Sequence, residues 1–405
     1  MIRDKYLDIS KITDSPQVLK IFDVVRNYGG VLRFVGGAVR DAIAGRKNFD
    51  IDFATDLSPD ELAEACEDAG VKTVPIGLKF GTLGVLVNGN ILEVTSLRKD
   101  VSTDGRHAIV EFTDDWKTDA SRRDLTINAV YADEKGNVFD YYDGISDLEK
   151  GIVRFIGDAD QRVKEDYLRI LRFFRFYSLF AKKGYDKKAL KACIENREGL
   201  EKISIERIRD ELTKIILTPN APKVFATMFE NDILQNWLGK SEYLSNLQFL
   251  INLEDAYDDI KPCYLRRFFV LYFPDKDLAE NIAVRMHFTK NQRERMVKLA
   301  ANNVGVENIL EEKLRRKIIY QFGKEFCLDK LLIESARREI VPDALGNIIK
   351  EIENAEVPVF PVGGRDVMET KNVKGSKVGA ILNKLEKIWM DSDFCLSKED
   401  LLAQI

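Results

Sequence analysis

Apolar positions along residues 1–150 alternate between helical and strand spacing, and beyond residue 151 helical spacing dominates. Val18, Leu19, Phe22 and Val25 repeat at helical spacing behind Ser15-Pro16 and stop at Gly29-Gly30, which predicts a helix between those signals. Residues 31–35 and 49–54 read as strands, with a short helix over 38–44 between them. Ser58-Pro59-Asp60-Glu61 opens the next helix, with Ser58 as its cap and Glu61 three positions on. Apolar runs at 82–87 and 91–95 flank Asn88-Gly89, a strong hairpin-turn signal. Runs at 109–112 and 138–141 complete a mixed sheet of roughly five strands.

From residue 160 to 180 the pattern predicts a helix, and Ser204-Ile205-Glu206-Arg207-Ile208-Arg209-Asp210-Glu211 starts another with capping chemistry. Pro219 and Pro222 punctuate, and helices resume to the end with no internal repeat or low-complexity tract. A single candidate linker lies around Val357-Pro358-Val359-Phe360-Pro361. The expected fold class is therefore α+β: an N-terminal head with a mixed sheet, followed by an all-α body.

Composition narrows the chemistry. A chain of 405 residues exceeds one ordinary core, and its 45% apolar and 32% charged content is that of a globular protein. No apolar run is long enough for a membrane span, and Met1-Ile2-Arg3-Asp4-Lys5-Tyr6 has no apolar core for a signal peptide. Five scattered cysteines, Cys66, Cys193, Cys263, Cys327 and Cys395, argue for reduced thiols and a cytoplasmic protein. With only His107 and His287 present, histidine-cluster metal sites and most Ser-His-Asp schemes are excluded. Any metal must then be held by oxygens, which favours Mg²⁺. The net charge of −5 does not advertise a nucleic-acid binder, although basic clusters such as Lys182-Lys183 with Lys187-Lys188 leave room for a basic face.

Asp50-Ile-Asp52 carries the clearest chemical signal. Alternating carboxylates on a β-segment project to one side and can share a divalent cation, whereas alone they are more often a solvated strand end or turn. Their context is Gly36-Gly37-Ala38-Val39-Arg40-Asp41, a glycine turn that lets backbone approach a phosphate. Arg122-Arg123-Asp124 adds guanidiniums able to grip triphosphate oxygens, or else a surface pairing with Asp124. A nucleotidyl transferase using two metals needs this layout, with a third carboxylate for which Glu93 is the candidate. In Glu165-Asp166-Tyr167-Leu168-Arg169-Ile170-Leu171-Arg172-Phe173-Phe174-Arg175, the residues Asp166, Arg169, Arg172 and Arg175 fall on one drifting helical stripe. Either neighbouring carboxylates neutralise these arginines or a base and phosphates lie against them.

These segments resemble the class II tRNA nucleotidyltransferases (CCA-adding enzymes) and the related bacterial poly(A) polymerases. GGAVRD with FDIDFAT is similar to the family's first motif, RRDLTINA to the second, and residues 143–148 to the third. EDYLRILRFFRF resembles the fourth and SIERIRDEL the fifth, in the family's order. The resemblance implies a polymerase-β-like catalytic head over 1–150, a neck over 151–215 carrying the nucleotide-selecting template, a body over 216–356, and a tail over 357–405 that contacts tRNA. It implies that Asp50 and Asp52 hold Mg²⁺, with Gly36, Gly37, Arg40 and Arg123 at the nucleotide. Asp166, Arg169, Arg172 and Arg175 would form the protein template that selects CTP and then ATP. Residues 143–148 would serve as a hinge, and 98–111, centred on Ser102-Thr103-Asp104-Gly105-Arg106, as the flexible loop that switches to ATP.

Two isolated histidines cannot build the His-Asp phosphohydrolase domain that many relatives append, so none is expected. Pro361-Val362-Gly363-Gly364-Arg365-Asp366-Val367 superficially repeats the glycine turn, but no Asp-x-Asp follows, which suits a helical-tail element. The expected activity is addition of C, C and A to the tRNA 3′ end, with no membrane association and no obligate protein partner. A poly(A) polymerase, an enzyme adding only CC or only A, and a non-catalytic RNA-binding protein are the alternatives.

Overall fold

The rings of Phe34 and Phe53 meet at 5.0 Å on neighbouring strands, and Phe22 closes over them at 5.0 and 5.7 Å from the first long helix. This contact is the centre of the head's core. The computed structural model describes residues 2–46, 50–87, 89–103, 108–272 and 276–405. They fall into two units, Met1–Leu234 and Gln235–Ile405.

In the first unit the strands are β1 (Ile2–Tyr6), β2 (Leu32–Val35), β3 (Asp52–Thr55), β4 (Thr73–Gly77), β5 (Thr82–Val87), β6 (Asn90–Ser96), β7 (Arg98–Thr103), β8 (Ala108–Phe112), β9 (Val130–Ala132) and β10 (Asn137–Asp140). Eight of them form one sheet in the order β1-β10-β9-β2-β3-β6-β5-β4, where only β3 and β6 pair in parallel. The expected sheet of about five strands is thus too small. β9 is three fully buried residues with no alternation to betray it, and β4 carries Pro75, which an edge strand tolerates because it need not donate there. The strand expected at 109–112 is real but lies outside this sheet, since β8 pairs with β7 as a separate hairpin.

Helices α1 (Pro16–Asn27), α2 (Gly37–Ile43) and α3 (Pro59–Asp68) follow the strands closely. Ser58 and Glu61 make the reciprocal capping box that their spacing predicts. Val25, Leu32, Phe34, Val39, Phe53, Leu62 and Val94 are buried together on that side of the sheet. Then come α4 (Trp116–Arg122), α5 (Gly144–Lys150), α6 (Ala159–Glu165), α7 (Leu168–Phe180), α8 (Lys187–Glu195), α9 (Ile205–Ile216) and α10 (Ala221–Glu230).

The single helix expected over 160–180 is two helices. Asp166 is extended (φ −153°, ψ 106°), and its side chain accepts from the Leu168 backbone at 3.1 Å, which restarts the chain as α7. Tyr167 at this break lies so close to Gly199 that a Cβ there would meet its ring at 2.0 Å. The helical stripe therefore begins at Arg169, with Asp166 presented from the break.

The second unit is helical: α11 (Leu244–Asp255), α12 (Tyr264–Tyr272), α13 (Lys276–Arg285), α14 (Lys290–Ala301), α15 (Val306–Leu310), α16 (Glu312–Phe322), α17 (Lys324–Arg337), α18 (Gly346–Asn354), α19 (Gly364–Lys371), α20 (Ser376–Asp391) and α21 (Lys398–Leu402). Residues 363–367 open α19 and provide no second glycine turn over a strand. A buried ion network crosses this unit. Glu254 on α11 accepts from Arg266 at 2.9 Å and from Arg267 at 2.6 Å, both on α12. Asp329 on α17 accepts from Arg266 at 3.2 Å and from Arg295 at 2.9 Å. No helix among the described residues is long and apolar enough to cross a membrane.

Candidate nucleotide-binding site

A cavity of about 600 Å³ opens between the β2–α2 turn, the start of β3 and the exposed face of α7. Gly36, Gly37, Arg40, Asp50, Asp52, Arg123, Asp166, Arg169, Arg172 and Arg175 all line it. Residues separated by well over a hundred positions thus share one space. Asp41, Asp124, Asn128, Phe176, Leu179 and Lys214 complete the lining.

The glycine turn is conformationally required. Gly36 has φ +64° and ψ −117°, a region closed to ordinary L-residues, and it turns β2 directly into α2. Asp52 begins β3, paired with Val35 on one side and Glu93 on the other. Asp50 precedes the strand, and both aspartates reach the cavity. Lost solvation and then the Glu93 and Asp50 charges raise the Asp52 carboxyl above its usual range, while Arg123 opposes them. Glu93 is exposed and lies outside the cavity lining, and among the described residues no group of three or more carboxylate, thiol or imidazole side chains is placed to hold an ion. As a two-carboxylate set, Asp50 and Asp52 could together hold a cation, which would relieve the repulsion between them. Such a set suits a hard divalent ion that completes its shell with phosphate oxygens and water.

Arg122 and Arg123 do not pair with Asp124; they converge on Asp119. Nε of Arg122 donates to Asp119 at 2.8 Å, and NH2 of Arg123 at 3.1 Å. The Tyr131 hydroxyl adds a third bond at 2.7 Å. Asp119 is 1% exposed. Burial alone would raise its carboxyl, but Arg123 and Arg122 outweigh that and hold it down to about 2. Arg123 is thereby fixed at the cavity wall beside Asp52.

Arg40 is buried, although the cavity reaches it. Its Nε and NH2 donate to Asp41, each at 2.9 Å, and its NH1 donates to Asn128 Oδ1 at 2.6 Å. The Phe176 and Phe180 rings of α7 lie 4.9 and 4.8 Å from the guanidinium. Asn128 Nδ2 donates to Asp124 Oδ1 at 3.0 Å. Arg175 lies 3.2 Å from Glu211 on α9.

Asp166 and Arg169 share the cavity, but each has a protein partner of its own. Arg207 on α9 donates to Asp166 Oδ2 at 2.9 Å. Arg169 donates to Glu165 at 2.6 Å and to the Arg162 carbonyl at 2.8 Å. Arg162 in turn bonds the Arg123 carbonyl at 2.6 Å, tying this end of the cavity to the arginine pair. Among these partners, Asp119 was readable in advance, because Asp119 with Arg122 and Arg123 has i, i+3 and i+4 spacing. Asn128 with Asp124 and Lys214 with Glu211 have the same kind of spacing, whereas Arg207 reaches Asp166 from forty-one residues away. Asp104, Gly105 and Arg106 lie outside the described residues, and the flanking parts of the expected loop are the strands β7 and β8.

Comparison with known proteins follows the same outline. The poly A polymerase head domain matches residues 32–154, and a probable RNA and SrmB-binding site of polymerase A matches 185–242. The human CCA tRNA nucleotidyltransferase 1, mitochondrial, is 34% identical over 380 residues, covering 92% of this chain and 86% of that protein. The CCA-adding enzyme of Ligilactobacillus salivarius is 30% identical over 391 residues, covering 95% of each. The Bacillus stearothermophilus CCA-adding enzyme in complex with CTP has the same fold, with a TM-score of 0.78 at 24% identity over 96% of this chain and 97% of that one.

Proposed function

Because the chain belongs to the family of CCA-adding tRNA nucleotidyltransferases, we propose that the cavity beside α7 is where it selects and transfers nucleotides. The enzyme adds C, C and A to tRNA 3′ ends without a nucleic-acid template, with CTP and ATP as substrates. One observation carries the site assignment: Asp50 and Asp52 line the same cavity as Asp166 and Arg169. Carboxylates suited to a cation and side chains suited to a base edge thus line a single space.

In this reading the Gly36-Gly37 turn receives the triphosphate and Arg123, braced by Asp119, binds its oxygens. Asp50 and Asp52 would hold a divalent cation, and Mg²⁺ suits their all-oxygen chemistry. When bound, one such ion would acidify the attacking 3′-hydroxyl and a second would offset charge on the departing pyrophosphate. Asp166 and Arg169 present an acceptor and donors to the edge of the base, and Arg172 and Arg175 extend that surface. Glu165 and Arg207 hold the two readers before a nucleotide arrives, so reading exchanges a protein partner for a base edge.

We assign the catalytic head to 1–150, the selecting neck to 151–215, and the body and tRNA-contacting tail to 216–356 and 357–405. The β7–β8 hairpin carries the loop proposed to drive the change from C to A.

The deciding assay supplies tRNA ending at the discriminator base with CTP and ATP, singly and together, and sequences the 3′ ends. CC with CTP alone and CCA with both are expected. Long A tails would identify a poly(A) polymerase, and ends that stop at CC would identify a CC-adding enzyme.

A further inference from the structure

A buried polar chain runs from the phosphate-side turn to the selecting helix: Asp41, Arg40, Asn128, Asp124, Arg172. Arg40, Asp41, Asn128 and Asp124 are each less than one-tenth exposed. Every link is short: 2.9 Å twice from Arg40 to Asp41, 2.6 Å from Arg40 to Asn128, 3.0 Å from Asn128 to Asp124, and 2.7 Å from Arg172 to Asp124.

Asn128 is the link that no charge rule explains. Arginine can only donate and an ionised carboxylate can only accept, so the amide must present Oδ1 to Arg40 and Nδ2 to Asp124. A hydroxyl also donates and accepts, but from one atom, whereas the amide places acceptor and donor on two separate atoms that face the two partners. Aspartate would accept from Arg40 but set a second carboxylate against Asp124, and alanine would leave a buried guanidinium and a buried carboxylate each short of a partner.

The chain reaches α7 at two places. Asp124 holds Arg172, and Arg40 lies against Phe176 and Phe180. Residues 172 and 180 are separated by about 12 Å along a helix rising 1.5 Å per residue. Two attachments that far apart fix the direction of the helix axis as well as its position. Arg169 is one turn from the first attachment, and Asp166 lies just beyond it at the break. A small tilt of α7 would move both relative to Asp50 and Asp52.

We propose that Asn128 is a positioning residue for nucleotide selection. By joining Arg40 to Asp124 it sets the base-reading end of α7 at a fixed distance from the phosphate-binding turn. The inference rests on the reading of Asp166 and Arg169 as the nucleotide selectors.

The test compares wild type, Asn128→Asp, Asn128→Ala and Asp166→Ala. It measures kcat/KM for CTP against UTP on tRNA ending at the discriminator base, and for ATP against GTP on tRNA ending in CC. Thermal unfolding is followed alongside. Asn128→Asp, matched in size and still accepting from Arg40, should lower both selectivity ratios by about tenfold or more, with KM for tRNA unchanged. If Asn128→Asp keeps wild-type selectivity while Asp166→Ala loses it, the coupling is wrong, whatever happens to rate or melting temperature. If Asp166→Ala also keeps selectivity, the selector assignment itself fails.

Discussion

Nε and NH2 of Arg172 both lie 2.7 Å from Oδ2 of Asp124. One carboxylate oxygen therefore ties the Arg122-Arg123-Asp124 segment of the head to the helix that lines the cavity. The pair holds the Asp124 carboxyl well below the usual carboxylate range against the cost of its burial. Replacing Asp124 by Ala leaves a cation in a mostly buried setting. The expected loss is about 2–4 kcal/mol, below the upper range for buried pairs because Arg172 keeps about a third of its side chain exposed. Urea unfolding of Asp124→Ala and wild type measures it, and equal midpoints would mean that the pair contributes nothing.

Part of the acid sensitivity should come from Asp119. Its folded pKa of about 2 lies below the ordinary aspartate value near 3.9, so its contribution is complete above pH ~4 and is lost as pH falls toward 2. About 2 kcal/mol of stability is expected to disappear across that window. Asp119→Asn should flatten the stability profile between pH 4 and 2 while lowering the plateau above it. A variant that retains the full wild-type slope would assign the acid sensitivity to another carboxylate.

Asp50 and Asp52 are expected to separate activity from stability. Alanine at either position should abolish incorporation of both CTP and ATP yet leave unfolding within about 0.5 kcal/mol of wild type. Without divalent ions Asp52→Ala should melt no lower than wild type, since it removes a carboxyl that Glu93 and Asp50 both crowd. Added Mg²⁺ should raise the melting temperature of wild type more than that of either variant. Near-normal incorporation by either variant would remove it from the metal site.

Arg207 should behave as part of the selector although it lies forty-one residues from Asp166. Arg207→Ala frees one oxygen of Asp166, so misincorporation of UTP and GTP should rise while tRNA affinity stays constant. Weakened tRNA binding with unchanged selectivity would move Arg207 to the RNA-contacting surface.

The contrast between Asp50 and Asn128 marks what is legible in a sequence. Asp50, Asp52, Gly36 and the α7 arginines stand out because each pattern needs compensation: a positive-φ turn needs glycine, and alternating carboxylates or a stripe of like charges need counter-charges. The capping box at Ser58 is legible because all its atoms lie within one turn of helix. Asn128 and Arg207 are ordinary residues in their own segments, and only tertiary placement gives them partners at 88 and 41 residues' remove. The strand count fails for a related reason. β9 is buried on both faces and β1 gains its partner from residues 137–139, so neither shows the alternation that marks a strand with one wet face. The helix break at Asp166 is hidden because its cause is a side chain bonding its own backbone, with Tyr167 seated against Gly199.

In the second unit, Arg266 and Arg267 sit side by side on α12 and are 3% and 1% exposed. Glu254 answers both, and Asp329 answers the first. Peeling α11 away would take Glu254 from both arginines, and peeling α17 away would take Asp329 from Arg266, at several kcal/mol for each buried pair broken. Neither helix can fray alone at low cost, so α11, α12 and α17 are bound to open and close as one cooperative block. Their slowest amide protons should then exchange through one shared opening, with the same opening free energy in all three helices.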